Sequence, residues 1–335
     1  MPQTPWKLAA ALLLVVPLFM LEGCGCGFDC NDDDEDDNGP ALLSLSLSDA
    51  LPEDLSDVVI ELDAITLRRS GNDVVIDRFA DGDSEVETLT IDLLDYRGVN
   101  RIRVVENLEI ERGTYSGITL TILGGDPNLS HVIEQGSDEQ VQLDPVSNFS
   151  LPGFTAVSGT QEYVIEFALT HSLSQRSSGT YELSTEGVLV ANFATAATLS
   201  GQVDSVLFDA ETPCDNKEDP LVGNRAYLYE GRDLNEEDLA DIFTSSSNTT
   251  PPEGALSPLA GATLIRNSLT GAWEYSFGYL PAGDYTLAFA CNTADDDPTE
   301  YDGIDVPLPA GQVYPLTLEE AQSTTCNITE AVNCQ

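Results

Sequence analysis

Two acidic loops hold most of the side chains in this sequence that could do chemistry together. Asp81-Gly82-Asp83-Ser84-Glu85 and Asp295-Asp296-Asp297-Pro298-Thr299-Glu300-Tyr301-Asp302 each crowd oxygen donors into a few residues. Calcium takes about six to eight such oxygens from carboxylates, carbonyls and water. The candidate calcium ligands are therefore Asp81, Asp83 and Glu85 in one loop and Asp295, Asp296, Asp297 and Asp302 in the other. A solvated acidic loop is the competing reading of each. No other cofactor is expected. His131 and His171 are the only histidines, lie 40 residues apart and sit in no metal or protease motif. Their places after a turn and at a strand end predict surface positions. Gly113-Thr114-Tyr115-Ser116-Gly117 lacks the spacing of a nucleophile elbow, and Lys217 lacks the Gly-Lys-Ser/Thr context of a phosphate loop. With 58 acidic residues some carboxylate pair is inevitable, so a hydrolase with an acidic site stays an open alternative and no catalytic residue is assigned. Trp273 and the tyrosines beside it could stack on a sugar ring; filling a core is the other role for such aromatics.

Charge narrows the partners. Thirteen Lys and Arg against 58 Asp and Glu leave a net charge of −45. Such a surface repels phosphate backbones and anionic headgroups, which excludes nucleic acid as a partner. It is equally what adaptation to a salty environment produces.

The first residues give an address. Leu8 to Leu21 is an apolar run of 14 residues broken only by Pro17, preceded by Lys7. That is short for a membrane span and right for a signal-peptide core. The run ends in Leu21-Glu22-Gly23-Cys24, which resembles a bacterial lipobox, with Glu22 in place of the usual small residue. The resemblance implies cleavage between Gly23 and Cys24 and lipidation of Cys24. Gly25 follows, not the Asp that retains lipoproteins in the inner membrane, which implies an outer-membrane anchor. Residues 24–40 then form an acidic tether: Asn31 to Pro40 holds no apolar residue, and its like charges extend it.

Seven cysteines are present; with Cys24 lipidated, Cys26, Cys30, Cys214, Cys291, Cys326 and Cys334 remain. An even remainder in an exported chain points to disulfides, and six cysteines allow about 15 pairings. Joining neighbours is favoured: Cys26 to Cys30, Cys214 to Cys291, Cys326 to Cys334.

From residue 41 the sequence alternates at the period of strands. Leu43, Leu45 and Leu47 interleave with Ser44, Ser46 and Ser48, the pattern of a strand with one buried and one solvated face. Further strands are expected at 58–67, 74–76, 88–93, 101–105, 115–123, 132–143, 163–169 and 181–191. Short strands between turn signals, with no long helical period, define an all-β fold of two β-sandwich domains, immunoglobulin-like or prealbumin-like. Ser48-Asp49-Ala50, Leu55–Ile60, Ile91–Asp95 and Gly113–Ile118 resemble the domain of unknown function 4382, found in bacterial lipoproteins, over about residues 42–192. That family carries no established activity to transfer. Residues 41–193 are assigned to this domain and 194–197 to a linker.

The second domain spans 198–322, with 323–335 as a tail. Trp273 to Phe289 alternates aromatic residues on both sides of Leu280-Pro281-Ala282-Gly283. It resembles the Leu-Pro-x-Gly-x-Tyr hairpin of prealbumin-like and carboxypeptidase-regulatory-like modules, a fold class with carbohydrate-binding members. The stretch between Gly201 and Trp273 reads as a polar insertion, with one short helix at Asn235–Phe243. The sequence thus leads to a non-enzymatic binding or structural lipoprotein of the cell envelope, lipid-anchored in the outer membrane. Its partner would be a polysaccharide or a protein. A calcium-stabilised adhesion or carbohydrate-binding protein is the first alternative.

Overall fold

Strand-period alternation dominates because its apolar positions find two facing layers to fill. The computed structural model describes residues 39–50, 55–81, 84–244, 249–329 and 333–334. The lipobox, Gly23, Cys24, Cys26, Cys30, the tether up to Asn38, and Asp83 lie outside the described residues. The first strands are β1 (Ala41–Ala50), β2 (Leu55–Arg69), β3 (Val74–Ile76), β4 (Phe79–Asp81), β5 (Ser84–Val86), β6 (Leu89–Asp92), β7 (Ile102–Ile110) and β8 (Gly113–Leu123). Then come β9 (His131–Glu134), β10 (Val141–Pro145), β11 (Phe149–Ala156), β12 (Gly159–Ala168), α1 (Leu169–Ser172), β13 (Leu173–Gln175), β14 (Tyr181–Leu183) and β15 (Val188–Asn192). One sheet runs β15-β12-β1-β7. Opposite it, β11-β8-β2-β9-β10-β14-β13 form the second layer, with β3 and β6 also on β2. Leu43, Leu45, Leu47, Ile165 and Phe167 from the first sheet meet Ile60, Leu62, Ile118 and Leu120 from the second in one buried core.

The second sandwich follows after a turn, not a loose linker: the Ala194 and Ala196 amides both bond back to Asn192. Its strands are β16 (Ala197–Val203), β17 (Arg225–Glu230), β18 (Ala260–Thr263), β19 (Ile265–Arg266), β20 (Trp273–Leu280), β21 (Gly283–Ala290), β22 (Val313–Leu318), β23 (Ser323–Asn327) and β24 (Asn333–Cys334). They form the sheets β19-β20-β16-β23-β24 and β18-β17-β21-β22. Leu199, Tyr275 and Phe277 from one meet Tyr227, Leu287 and Phe289 from the other. A disulfide joins Cys214 to Cys291, just past β21, and Cys326 is disulfide-bonded as well, standing opposite Cys334 in the β23–β24 register.

Several expectations change. Residues 201–273 are no insertion: they supply β17 and β18, two of the four strands of one sheet. The stretch 323–335 is no tail, since β23 pairs with β16 and buries Cys326. Asn235–Phe243 is not a helix; only Glu236–Asp238 makes a 3-10 turn, because three acids in that turn leave it no apolar face. Gly136 takes a positive φ between 132 and 143 and splits that run into β9 and β10. The run 181–191 splits into β14 and β15, which join different sheets.

The aromatic pair around Leu280-Pro281-Ala282-Gly283 is not a hairpin. Strand β20 lies in one sheet and β21 in the other, so the turn arches across the core. Both strands carry a fully apolar inner face, and facing each other buries more of it than pairing side by side. The Tyr285 hydroxyl donates to the Pro281 carbonyl and closes the arch.

The described residues from Gly39 onward belong to one compact unit. The seam between the sandwiches explains β1. Its serine face is as buried as its leucine face, because β20 covers it. Ser46 donates to Glu162 (2.8 Å), and the Glu162 carboxylate also receives Arg101 (2.7 Å) and Arg103 (2.9 Å). The Arg101 guanidinium stacks on Phe193, 3.9 Å from its centroid, and Tyr279 donates to the Val99 carbonyl at 2.6 Å. A register shift in the β16–β20 ladder sends Phe277 and Leu280 into the core while Tyr279 turns to the seam. Gly278 sits at that shift. A Cβ there would overlap the Gly98 carbonyl and lie 2.6 Å from a Glu166 oxygen.

Candidate binding groove

A concavity of about 570 Å³ lies on the outer face of the sheet β19-β20-β16-β23. Alternation puts it there. Leu199, Gly201 and Val203 of β16 face inward, so Ser200 and Gln202 face out. The ladder register then aligns neighbours. Ser200 stands opposite Ser276 on β20 and opposite Thr325 on β23, which makes a row of three hydroxyls across three strands. Two residues along, Gln202 stands opposite Glu274, with Ile265 beyond it on β19. On the other side the Asn327 side chain accepts from the Gln202 amide at 2.9 Å. Strands lie about 4.8 Å apart and two residues rise about 6.6 Å, so the rows form a small lattice of polar groups.

Glu274 is the hub of the second row. Its carboxylate receives the Gln202 side-chain amide at 3.2 Å and the Asn267 amide at 3.1 and 3.2 Å. Asn267 is itself fixed, because its oxygen accepts from the Leu269 and Thr270 amides. The wall of the groove is the crossing from β18 to β19, where Thr263 is buried at 5% exposure. The Thr263 hydroxyl finds no hydrogen-bond partner among the described residues. Gly201 lets the floor close up: a Cβ there would collide with the Cys326 carbonyl, which accepts the Tyr275 hydroxyl at 2.6 Å.

The expected site residues go elsewhere. Asp81 ends β4 and Glu85 is exposed on β5. In the second loop Asp296 turns inward, pairs with Arg225 at 2.9 Å and accepts from the Tyr227 hydroxyl. Asp295 and Asp297 are exposed, and Asp297 caps its own turn by accepting from Thr299. Asp302 accepts from the Asp297 amide at 2.7 Å. These carboxylates hold the loop's own backbone, and among the described residues no three His, Cys, Asp or Glu side chains are grouped to hold a metal ion. Asp241, which the sequence reading passed over, anchors the same loop by accepting from Asp302 and Ile304. Burial pushes its carboxyl up to about 6.

Both histidines are buried, not exposed. His131 accepts from Gln140, and His171 donates through Nε2 to the Pro258 carbonyl of the other sandwich at 2.9 Å. Burial pulls His171 down to about 4. The seam holds a further buried carboxyl: Glu166, faced by Ser48 and the Gly278 amide, is pushed up to about 8 by burial. The aromatic platform is absent. Tyr275, Tyr279 and Tyr285 are buried, and Trp273 packs edge-on against Phe208. A cleft of about 460 Å³ between the sandwiches is lined by Glu134, Tyr181, Arg225 and Asp296, but the Arg225–Asp296 pair and the Tyr181–Glu134 bond engage its charges.

Fold and groove define an all-β protein of two packed sandwiches with an open polar face. Within the first sandwich, residues 40–185 match the family profile of a Domain of unknown function (DUF4382). No curated protein matches the chain. Solved structures similar to it include a family 26 carbohydrate-binding module of Eubacterium rectale Amy13K in complex with maltoheptaose, at 9% identity and TM-score 0.19, covering 88% of this chain and 95% of that one. A putative adhesin from Bacteroides ovatus is 9% identical with TM-score 0.18, covering 94% and 99%. A putative cell adhesion protein from Bacteroides fragilis is 9% identical with TM-score 0.21, covering 88% and 97%.

Proposed function

We propose that this protein is a non-enzymatic binding module of the bacterial cell envelope. In this reading a lipid on Cys24 anchors it to the outer membrane, and the acidic stretch 24–40 holds the sandwiches away from the surface. The observation that carries the binding role is the groove. Ser200, Ser276 and Thr325 present hydroxyls in register on a face whose main-chain bonds are already made. Strand pairing needs none of them, so they are free to meet a ligand. The anchor rests on the Leu21–Cys24 lipobox. Two or more acyl chains hold a protein where one does so only marginally.

Radiolabelled palmitate and cell fractionation test the anchor. The native chain should be labelled and sediment with outer membrane, and Cys24→Ser should be unlabelled and soluble. Sedimentation of that soluble variant with isolated envelope tests the binding role. Retention above that of an unrelated acidic protein is expected; its absence would remove the binding reading.

A further inference from the structure

We propose that the groove on β16, β20 and β23 binds a neutral saccharide, with the hydroxyl row Ser276–Ser200–Thr325 and the Glu274–Gln202 row as its polar contacts. This rests on the binding-module reading above and names the ligand class for that site.

The lining excludes other classes one by one. No Lys, Arg or His lines the groove, and Glu274 places a carboxylate in it, under a field set by a net charge of −45. An anion is therefore repelled. A cation finds one carboxylate, whose oxygens already receive two amides, far short of the six to eight oxygens calcium needs. An apolar ligand would bury Ser200, Gln202, Ser276 and Asn327 against hydrocarbon, and each unpaired group costs about 1–3 kcal/mol. An extended peptide binds by adding main-chain bonds at a sheet edge. This groove lies on a face whose strands are already paired on both sides of β16 and β20.

What remains is a neutral ligand rich in groups that both donate and accept. Hydroxyls do this, and the lining matches them with hydroxyls of its own, which rotate to either role, and with amides of fixed direction. Ile265, 41% exposed beside Glu274, offers a small apolar patch for the C–H face of a ring. Without an aromatic platform the affinity is that of a weak binder that gains from repeated sugar units.

The test is affinity electrophoresis of the full chain carrying Cys24→Ser, in native gels cast with dextran, laminarin, amylopectin or xylan, with alginate and gelatin as controls. At least one neutral polysaccharide should retard the protein, and alginate should not. Gln202→Ala and Ser200→Tyr should each weaken that retardation at least tenfold in Kd, while Thr121→Ala, in a cleft of the first sandwich beside Gly124 and Asp144, should leave it unchanged. Both substituted positions are exposed, so an unchanged circular dichroism melt is expected of each variant. Retardation by none of the four, by alginate equally, by gelatin alone, or unchanged in Gln202→Ala overturns the inference. Retention on envelope without retardation by any neutral polysaccharide overturns the saccharide class and leaves the binding module standing. Retention on neither overturns both.

Discussion

The two sandwiches solve the same problem with the same device and then diverge on their outer faces. In each, a Gly-x-Tyr sequence carries the chain from one sheet to the other. Gly113-Thr114-Tyr115 leads from β7 into β8, and Gly283-Asp284-Tyr285 leads from β20 into β21. In each, the tyrosine hydroxyl donates to the carbonyl four residues back, Glu111 at 3.0 Å and Pro281 at 2.8 Å. The difference lies on the faces. The serine face of β1 is roofed by the second sandwich, and its hydroxyls are bonded to Glu162, Asn100 and the Asn107 amide. In the equivalent hydroxyl row on β16, β20 and β23, Ser200 and Thr325 are exposed and only Ser276 reaches the seam, beside Gly98. The same alternation of polar and apolar residues thus makes a seam in one place and a candidate site in the other. What covers the face decides which.

The largest expected difference comes from the covalent staple. Cys214 and Cys291 close a loop of 77 residues in the second sandwich. Removing it with Cys214→Ala/Cys291→Ala should cost about 4 kcal/mol in the chain-entropy account, read as a drop in the denaturant midpoint. If the midpoint stays, the staple contributes nothing and the sandwiches are equally self-sufficient.

Next is the seam. Gly278→Ala forces a methyl against Gly98 and Glu166, and overpacking of this kind costs about 1–3 kcal/mol. Gly113→Ala meets no atom within 4 Å and loses only the backbone freedom that φ +132° requires. Gly278→Ala alone should also expose the Arg101–Phe193 stack to limited proteolysis. Equal proteolysis of the two variants would mean the seam is not what holds the sandwiches together.

A third prediction concerns Glu166. Its carboxyl is raised to about 8 from an ordinary 4.5, so between those values the folded chain keeps a proton that the unfolded chain releases. Stability is then full below pH 4.5 and falls as pH rises toward 8, by at most about 1.4 kcal/mol per pH unit. His171, lowered to about 4, acts in the opposite sense and loses stability as pH falls from 6.5 to 4. Melting curves of Glu166→Gln should lose the decline above pH 6, where Asp241, raised to about 6, no longer contributes, and keep the acid one. A parallel decline in both proteins would show that Glu166 is not its source.

The smallest effect tests the shared device. Tyr115→Phe and Tyr285→Phe each remove one turn-closing hydrogen bond, worth about 0.5–1.5 kcal/mol. Similar losses in thermal melts are expected; a loss in one alone would break the parallel between the arches.

Much of this was legible in the sequence, and the failures have a common cause. The alternation around Leu43–Leu47 and Trp273–Phe289 revealed an all-β fold, and Leu280-Pro281-Ala282-Gly283 marked the second arch as a turn. Neither signal says which sheet a strand joins, so β20 and β21 read as a hairpin. The serines of β1 read as solvated because their cover, Gly278 and Tyr279, lies more than 200 residues away. The histidines were misplaced for the same reason, since Pro258 of the other sandwich roofs His171. Groove residues were visible singly, as Ser200 alternating with Gln202 and Glu274 with Ser276. Their rows were not, because a row depends on register between strands far apart in the chain. The acidic loops drew attention by composition, while their actual work, holding the 295–304 backbone through Asp241, Asp297 and Asp302, shows only in hydrogen bonds.

The central claim is that the uncovered hydroxyl row is where this protein meets its ligand. Ser200 sits in the middle of that row, exposed, with its side chain free of the core. Replacing it by tyrosine fills the groove from an exposed position. The decisive measurement is sedimentation of the soluble Cys24→Ser chain, with and without Ser200→Tyr, against a titration of isolated envelope. The account predicts at least a tenfold loss of retention with a melting temperature unchanged to within about 2 °C, as a surface substitution allows. Retention as strong as that of the parent would place binding elsewhere and contradict it.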